Sequence, residues 1–472
     1  MAMTPHRLVR RMTAAITASV TCLALAACGD GGDPNAPLGV KDGRLTVWTL
    51  DSQPDRMGAQ RKIMEAFTTK TGIQTELVGI DEAQFPQLIA SAAQSGTLPD
   101  VVASLGLGSV RQIDQFGLVD RDATTKVVDR LGRDTFSPAM LDLETQNGKV
   151  LAVPSDSWSQ ILVYRKDLFK AKGLKPPTTY ADLTAAAKAL TAEGKKGITL
   201  ATDPADPFTS QSFETLALGN SCQLVDDAGA VTLGDQRCQR TWDLYADLVR
   251  NYSPQTKQDV DTTRASYFAG ESAMVLWSAY LLDEMAGLRE DALPTCPECK
   301  DDPTFLARNS GVVTAVRGPD GTGKGSFGEV AGWALMRGSD VDQGGRLIEH
   351  VMTDGYQAWL GVAPEGKFPT RPGPTKGSTA YVDAWAKLPA GVDTKKPLAE
   401  VYPPDVLASI RSSASTIDRW GIAQGRGILL GAVTSELPIP KAVAGIASGS
   451  LDARQAAEQA ATAVDDIRKD LN

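Results

Sequence analysis

The chain has 472 residues, 42% of them hydrophobic, with a formal net charge of −9 and two histidines. An acidic balance excludes the basic surface on which nucleic-acid or anionic-membrane binding depends. With so little histidine, a Ser-His-Asp mechanism or a histidine-built zinc site would rest on His350, which sits in the amphipathic run 346–352 and reads as a helix residue.

The N-terminus carries Arg7, Arg10 and Arg11, an apolar run from Ala14 to Ala27, and then Leu25-Ala26-Ala27-Cys28-Gly29. That is the layout of a secretory signal over residues 1–27 ending in a lipobox, with Cys28 as the lipid acceptor. The apolar run is shorter than the roughly 20 residues that span a bilayer. Removing the signal takes away three positive charges and no acid, which moves the net charge from −9 to −12. Residues 28–39, rich in Gly, Asp and Pro, read as a flexible tether. The mature chain is therefore expected outside the cytoplasm, anchored to the cell membrane as a lipoprotein, and it is long enough for two α/β lobes.

Leu45 to Leu50 alternates as a strand does, and Asp51 to Asp55 is turn chemistry. A helix is expected from Arg61 to Lys70 with Gly72 as its stop, a strand from Ile73 to Val78, a helix from Phe85 to Ala93 and a strand from Leu98 to Ser104. This βαβαβ order predicts a parallel sheet. Asn147-Gly148 is a turn pair, and a strand from Val150 to Val153 is expected to stop at Pro154. The polar patch Ser155-Asp156-Ser157-Trp158 then separates it from a second run, Ile161 to Tyr164, so the chain is expected to cross between lobes here.

Thr179 and Asp182 form a capping box for a helix from Tyr180 to Thr191, and Ile198 to Ala201 reads as a strand. Helices are expected from Phe208 to Asn220 and from Thr241 to Arg250. Tyr267 to Trp277 reads as helix, turn and strand, and Glu329 to Met336 as a strand returning to the first lobe. Helices follow from Asp342 to Thr353 and around Gln357, and the last, Ala453 to Leu471, aligns Ala457, Ala460, Val464 and Ile467 on one face.

Cys222, Cys238, Cys296 and Cys299 are an even number in an exported chain and imply two disulfides, with sequential pairing the simplest of three connectivities. A zinc or redox site is disfavoured because Cys296 and Cys299 alone have two-residue spacing, in a loop rich in Pro and Asp. Gly318 to Lys324 resembles a phosphate loop until Gly325, where Ser or Thr should hold magnesium, and Gly106-Leu107-Gly108 lacks a third glycine. Asp51 and Asp156 could form a glycosidase dyad only at the right separation; the plainer reading is one acid from each lobe accepting ligand hydroxyls.

Trp158, Trp277 and Trp333 sit beside strand ends, whereas Trp242, Trp359, Trp385 and Trp420 read as core. A sugar offers an apolar C–H face and a rim of hydroxyls, so it calls for flat aromatics together with Asp and Arg.

The stretch from Gly148 to Leu183 (GKVLAVP, then YRKDLFKAKGLKPPTTYADL), Ser95 to Val102 (SGTLPDVV), Phe268 to Met274 and Lys367 to Arg371 together resemble the extracellular solute-binding proteins of carbohydrate ABC importers, the group containing maltose-binding protein. The resemblance implies a two-lobed periplasmic-binding-protein-like α/β fold with mainly parallel sheets, flanking helices and a hinge. Lobe one is expected over 40–153 and 332–371, and lobe two over 154–331 and 372–472.

It implies a monomer without cofactor, metal or catalysis that captures a sugar, short oligosaccharide or glycoside between the lobes and delivers it to permease subunits. The cleft residues it points to are Asp51, Ser104, Asp156, Trp158, Trp277, Gly332, Trp333 and Arg371. Trp277 and Trp333 are expected to stack on the ligand, and Asp156 and Arg371 to bond its hydroxyls, although Arg371 has a rival role as a buried structural partner. Competing readings are a glycerophosphodiester receptor, which would want more cations than Arg371 and Arg56, a surface-anchored glycan hydrolase and an adhesin-like module.

Overall fold

A computed structural model describes residues 43–192, 194–322, 325–414 and 416–471, with the backbone of 40 and 41. The expected signal, Cys28 and the tether 28–39 lie outside the described residues. No described helix is long and apolar enough to cross a membrane.

The first three strands, β1 (Arg44–Thr49), β2 (Gln74–Gly79) and β3 (Val101–Leu105), pair in parallel with Val47 opposite both Leu77 and Val101. Helices α1 (Pro54–Thr71) and α2 (Phe85–Ser95) make the crossovers, and α3 (Leu107–Gln115) follows β3. Helix α1 starts seven residues before the expected Arg61, because proline in the first turn lacks only an N–H that would have had no partner there.

The expected strand break at Pro154 is not present. Residues Val153–Arg165 form one 13-residue strand, β4. Pro154 stands opposite Gly332, where the pairing register slips between Ala331 and Gly332, so its missing N–H falls at an irregularity, and its carbonyl accepts from Thr370 Oγ1 at 2.7 Å. Three later strands, β5 (Met274–Ser278), β6 (Ser310–Val313) and β7 (Ser326–Leu335), all pair antiparallel with β4.

Strand β7 also runs antiparallel to β3. Among the described strands, parallel ladders join β1 with β2 and β3, and a two-residue pair joins β7 with Ile417–Asp418, whereas β4 pairs antiparallel throughout, so the sheet is mixed rather than mainly parallel. The expected strand from Ile198 to Ala201 reduces to a single bridge, Thr199 to Val275. Its neighbouring backbone groups bond instead to the segment 252–258, through Tyr252 O, Ser253 Oγ and Gln258 O.

Leu45, Val47, Phe67 and Trp359 pack on one face of the β1–β3 half, and Phe85, Ile89, Leu105 and Val110 on the other. A third, larger core holds Phe213, Trp242, Tyr245, Met274 and Trp420, closed by Ala457, Ala460, Val464 and Ile467 of the last helix, Ala453–Asp470. Strand β4 gives Val153 to the first core and Ile161 to Tyr164 to the third; β7 gives Trp333 and Leu335 to the first and Phe327 and Val330 to the third. The fold is thus two-lobed α/β, with β4 and β7 running from one core into the other.

The cysteines pair in sequence order, Cys222 with Cys238 and Cys296 with Cys299. Replacing Cys222 and Cys238 by alanine should lower unfolding free energy by about 3 kcal/mol, read from urea midpoints, because the bridge closes a 16-residue separation.

Candidate functional site

In the parallel half of the sheet, Thr49 lies level with Gly79 and Ala103, so β1, β2 and β3 end along one edge. The residues that follow leave on that edge: Asp51 after β1, Asp81 and Glu82 after β2, and Ser104 to Gly106 at the end of β3. In open α/β sheets the crevice beyond the carboxyl ends of strands is where ligands lie. Ser104 has a φ of 59°, in the left-handed region that non-glycine residues avoid, and its buried Oγ has no hydrogen-bond partner among the described residues.

Asp51 anchors the first polar network. Its Oδ1 accepts from Arg56 Nη1 at 2.7 Å, and its Oδ2 lies 3.0 Å from Lys367 Nζ, off the line of a hydrogen bond. Lys367 is itself buried, 3.4 Å from Asp156 Oδ2 and 4.3 Å from the centre of the Trp359 ring. Asp156 Oδ1 accepts from Trp359 Nε1 and from Ser155 Oγ, both at 2.6 Å. Burial works to raise the Asp51 carboxyl, but Lys367 and Arg56 outweigh it and hold the group below the usual carboxylate range. Burial likewise opposes the Lys367 charge, yet Asp156 and Asp51 keep it firmly protonated.

A second network faces it across Trp158. Glu329 on β7 accepts from the backbone N–H of Leu107, the first residue of α3, at 2.7 Å, and pairs through its other oxygen with Arg419 Nη1. Arg419 Nε lies 3.2 Å from Glu214, which also accepts from Trp420 N at 2.8 Å. Arg56 stands 5.0 Å over the Tyr280 ring and Arg419 4.6 Å over Phe327, while Trp158 packs between these two rings at 6.3 and 5.9 Å. Gly366 lies against Tyr280, where any Cβ would come within 1.9 Å of the ring. Trp158 is half-buried, and it is the residue directly opposite Glu329 in the β4–β7 ladder, so indole and carboxylate share one face of the sheet.

Four of the expected cleft residues sit elsewhere. Trp333 is wholly buried and packs edge-on against Trp359 at 5.0 Å, so it has no face left for a ligand. Trp277 is 6% exposed, donates from Nε1 to Val260 O at 2.9 Å and packs on Phe208, as a core residue of the larger lobe does. Arg371 is 1% exposed; its guanidinium bonds Met352 O, Leu131 O and Thr135 Oγ1 beside Phe136 and Tyr381, the structural role that was its rival reading. At Gly332 a Cβ would lie 2.6 Å from Ala152 Cβ and 2.8 Å from Glu144 Oε1, so the missing side chain serves internal packing. Asp156, 1% exposed, stands behind the edge and reaches it through Lys367.

Asp51, Ser104 and Trp158 remain at the edge, joined by Arg56, Glu82, Tyr280, Glu329 and Arg419, which sequence reasoning did not assign to it, apart from naming Arg56 as a possible cation. A signal for Glu329 was present: it opens the predicted strand Glu329 to Met336, from which the cleft reading took only Gly332 and Trp333. Among the described residues no group of His, Cys, Asp and Glu is arranged to hold a metal ion. A groove of about 750 Å³ along α1, lined by Ile63, His350, Ala358 and Val392, contains none of these edge residues.

Behind the edge, Glu144 is fully buried, and neither carboxylate oxygen has a hydrogen-bond partner among the described residues. Burial pushes its carboxyl up to about 8, against the pull of Arg111 and with the push of Glu329. A folded-state value above the unfolded one means that the stability it contributes is complete below about pH 4.5 and is lost as pH rises through about 8. Glu144→Gln should therefore raise the melting temperature at pH 8 and flatten its fall between pH 5 and 8, as calorimetry across that range would show. Trp277→Ala should cost roughly 3–5 kcal/mol in urea unfolding, as core aromatic truncations do.

Residues 62–390 match the bacterial extracellular solute-binding proteins. Over 272 residues the chain is 25% identical to YcjN of Escherichia coli (strain K12), named as an ABC transporter periplasmic-binding protein, covering 57% of this chain and 61% of that one. It is 28% identical over 138 residues to the lactose-binding protein of Rhizobium radiobacter, covering 28% of this chain and 32% of that protein. The chain thus spans less than two thirds of either relative. Among solved structures, the cyclic alpha-maltosyl-1,6-maltose binding protein of Arthrobacter globiformis superposes with a TM-score of 0.69 at 19% identity, over 90% of this chain and 99% of that one. The GacH receptor of Streptomyces glaucescens GLA.O, solved unliganded and with acarbose, gives 0.67 at 19% identity, over 91% and 99%.

Proposed function

Because the chain belongs to the bacterial extracellular solute-binding proteins, we propose that it captures a sugar, short oligosaccharide or glycoside for an ABC importer. Trp158 and Glu329 carry this reading: an indole face and a carboxylate side by side on one sheet face suit the apolar side and the hydroxyl rim of a pyranose. Asp51 and the unpartnered Ser104 Oγ supply further polar groups at the strand ends. The solute would sit between lobe one, near 40–153 and 332–371, and lobe two, near 154–331 and 372–472. The protein would act as a monomer outside the cytoplasm, held at the membrane through Cys28, and present its solute to the permease subunits.

The charge pattern favours a sugar over a phosphodiester. Arg56 is already paired with Asp51, Lys367 with Asp51 and Asp156, and Arg419 with Glu214 and Glu329, so an anion would have to displace a carboxylate to find a cation. A glycosidase needs one carboxyl that stays protonated. Burial works to raise Asp51, but Lys367 and Arg56 hold it below the usual range, so Asp51 is not the protonated member that an Asp51–Asp156 dyad would need.

Titrating the mature protein with neutral mono- to tetrasaccharides should give a saturable change in tryptophan fluorescence with no product on chromatography. Trp158→Ala should weaken the best ligand about thirtyfold, with a smaller loss of unfolding free energy than Trp277→Ala brings. Release of product, or an affinity indifferent to that change, would count against the reading.

A further inference from the structure

Acids dominate the edge where β1, β2 and β3 end. With Asp156 and Glu214 counted just behind it, six carboxylates (Asp51, Asp81, Glu82, Asp156, Glu214 and Glu329) stand beside three cations, Arg56, Lys367 and Arg419. Each of those cations is committed to a carboxylate, two of them to a pair, and so has little to offer a ligand. Glu82 is the exception among the acids: it is exposed and makes no side-chain hydrogen bond or ion pair among the described residues.

The turn that carries Glu82 is well fixed. Ala83 N donates to Asp81 Oδ1 at 3.0 Å, Gln84 N and Phe85 N both donate to Asp81 O at 3.0 Å, and Phe85, which begins α2, is wholly buried. Since Thr49 and Gly79 are level, this turn leaves the sheet beside Asp51. Solvent reaches the Glu82 carboxylate, but surrounding protein and then the Glu329, Asp81 and Asp51 charges raise its carboxyl above the usual range, as expected in a negative field. Two observations beyond the acids mark this edge as a ligand site: the buried Ser104 Oγ has no hydrogen-bond partner among the described residues, and the half-buried Trp158 stands opposite Glu329.

We infer that the solute bound here carries a positively charged nitrogen, as an amino sugar or a basic pseudo-saccharide does, with that nitrogen paired to Glu82 and its ring on Trp158. The inference rests on the reading of this cleft as a saccharide site. A cation gains from the uncompensated carboxylate and from the indole face, whereas a uronic acid or sugar phosphate is repelled by the same groups. Specificity of this kind needs a repulsive as well as an attractive element, and the surplus of carboxylates supplies both.

The test uses the mature full chain and matched triplets on several skeletons: each neutral di- or trisaccharide, its 2-amino-2-deoxy counterpart and its uronic acid counterpart, titrated calorimetrically near pH 6.5. The amino member of a responding skeleton should bind about tenfold tighter than the neutral one, and the acid member weakest. Glu82→Gln should reduce that gap to under about threefold. A neutral member that binds as well as the amino one, or a gap that survives Glu82→Gln, overturns the inference and leaves the saccharide reading standing. If no skeleton responds in any charge state, the saccharide reading falls, and the inference with it.

Discussion

The antiparallel pairing of β4 with β7, from Val153 opposite Trp333 to Ser159 opposite Gly328, is the constraint on which the rest of the molecule depends. Two strands that run from one hydrophobic core into the other must keep their ladder intact in between, or leave backbone groups unpaired where water is scarce. The slip between Ala331 and Gly332 lets Pro154 stay in the strand, and at Gly332 the backbone lies so close to Ala152 and Glu144 that no side chain fits. Because pairing resumes beyond it, Trp158 and Glu329 face one another on the site side of the sheet. The same continuity places Asp156 two residues before Trp158, where it can hold Lys367.

Lys367 explains how so many charges are tolerated near that ladder. A buried lysine is costly unless paired, and so are buried aspartates. Set between Asp51 and Asp156 and over the Trp359 ring, one ammonium links the end of β1 to the first part of β4. Arg419 does the same on the other side, joining Glu214 to Glu329, whose second oxygen takes the first N–H of α3. Trp158 is left between two aromatic rings, each with an arginine over it, and this rigid mounting presents its remaining face. Negative charge in excess of these pairs lies toward solvent, at Asp81 and Glu82.

Much of the fold was legible because its signals are local. Alternation in Arg44–Thr49, the glycine after α1 and the Asn147-Gly148 turn each act over a few residues, and the last helix buries the four positions that its spacing selects. Cysteine pairing followed sequence order for the same reason. Pro154 misled because its ordinary meaning, an end to pairing, was reversed by a register slip in a strand more than 170 residues away. Ile198 to Ala201 has the composition of a strand, but its backbone bonds went to a neighbouring loop.

The site divides along the same line. Sequence by itself determined that Asp51 and Ser104 end strands, that Trp158 lies at a crossing, and that a saccharide is a plausible chemical fit for such residues. Tertiary structure decided which aromatics and charges keep a free face. Trp277, Trp333 and Arg371 have the composition of a sugar site, yet each is enclosed by residues distant in the chain, and burial is a property of the assembled neighbours rather than of the residue. The ion pairs that neutralise Lys367 and Arg419 join segments far apart in sequence, and only that assembly leaves Glu82 as the uncompensated charge. Coulomb energy depends on separation in space, which no linear spacing encodes.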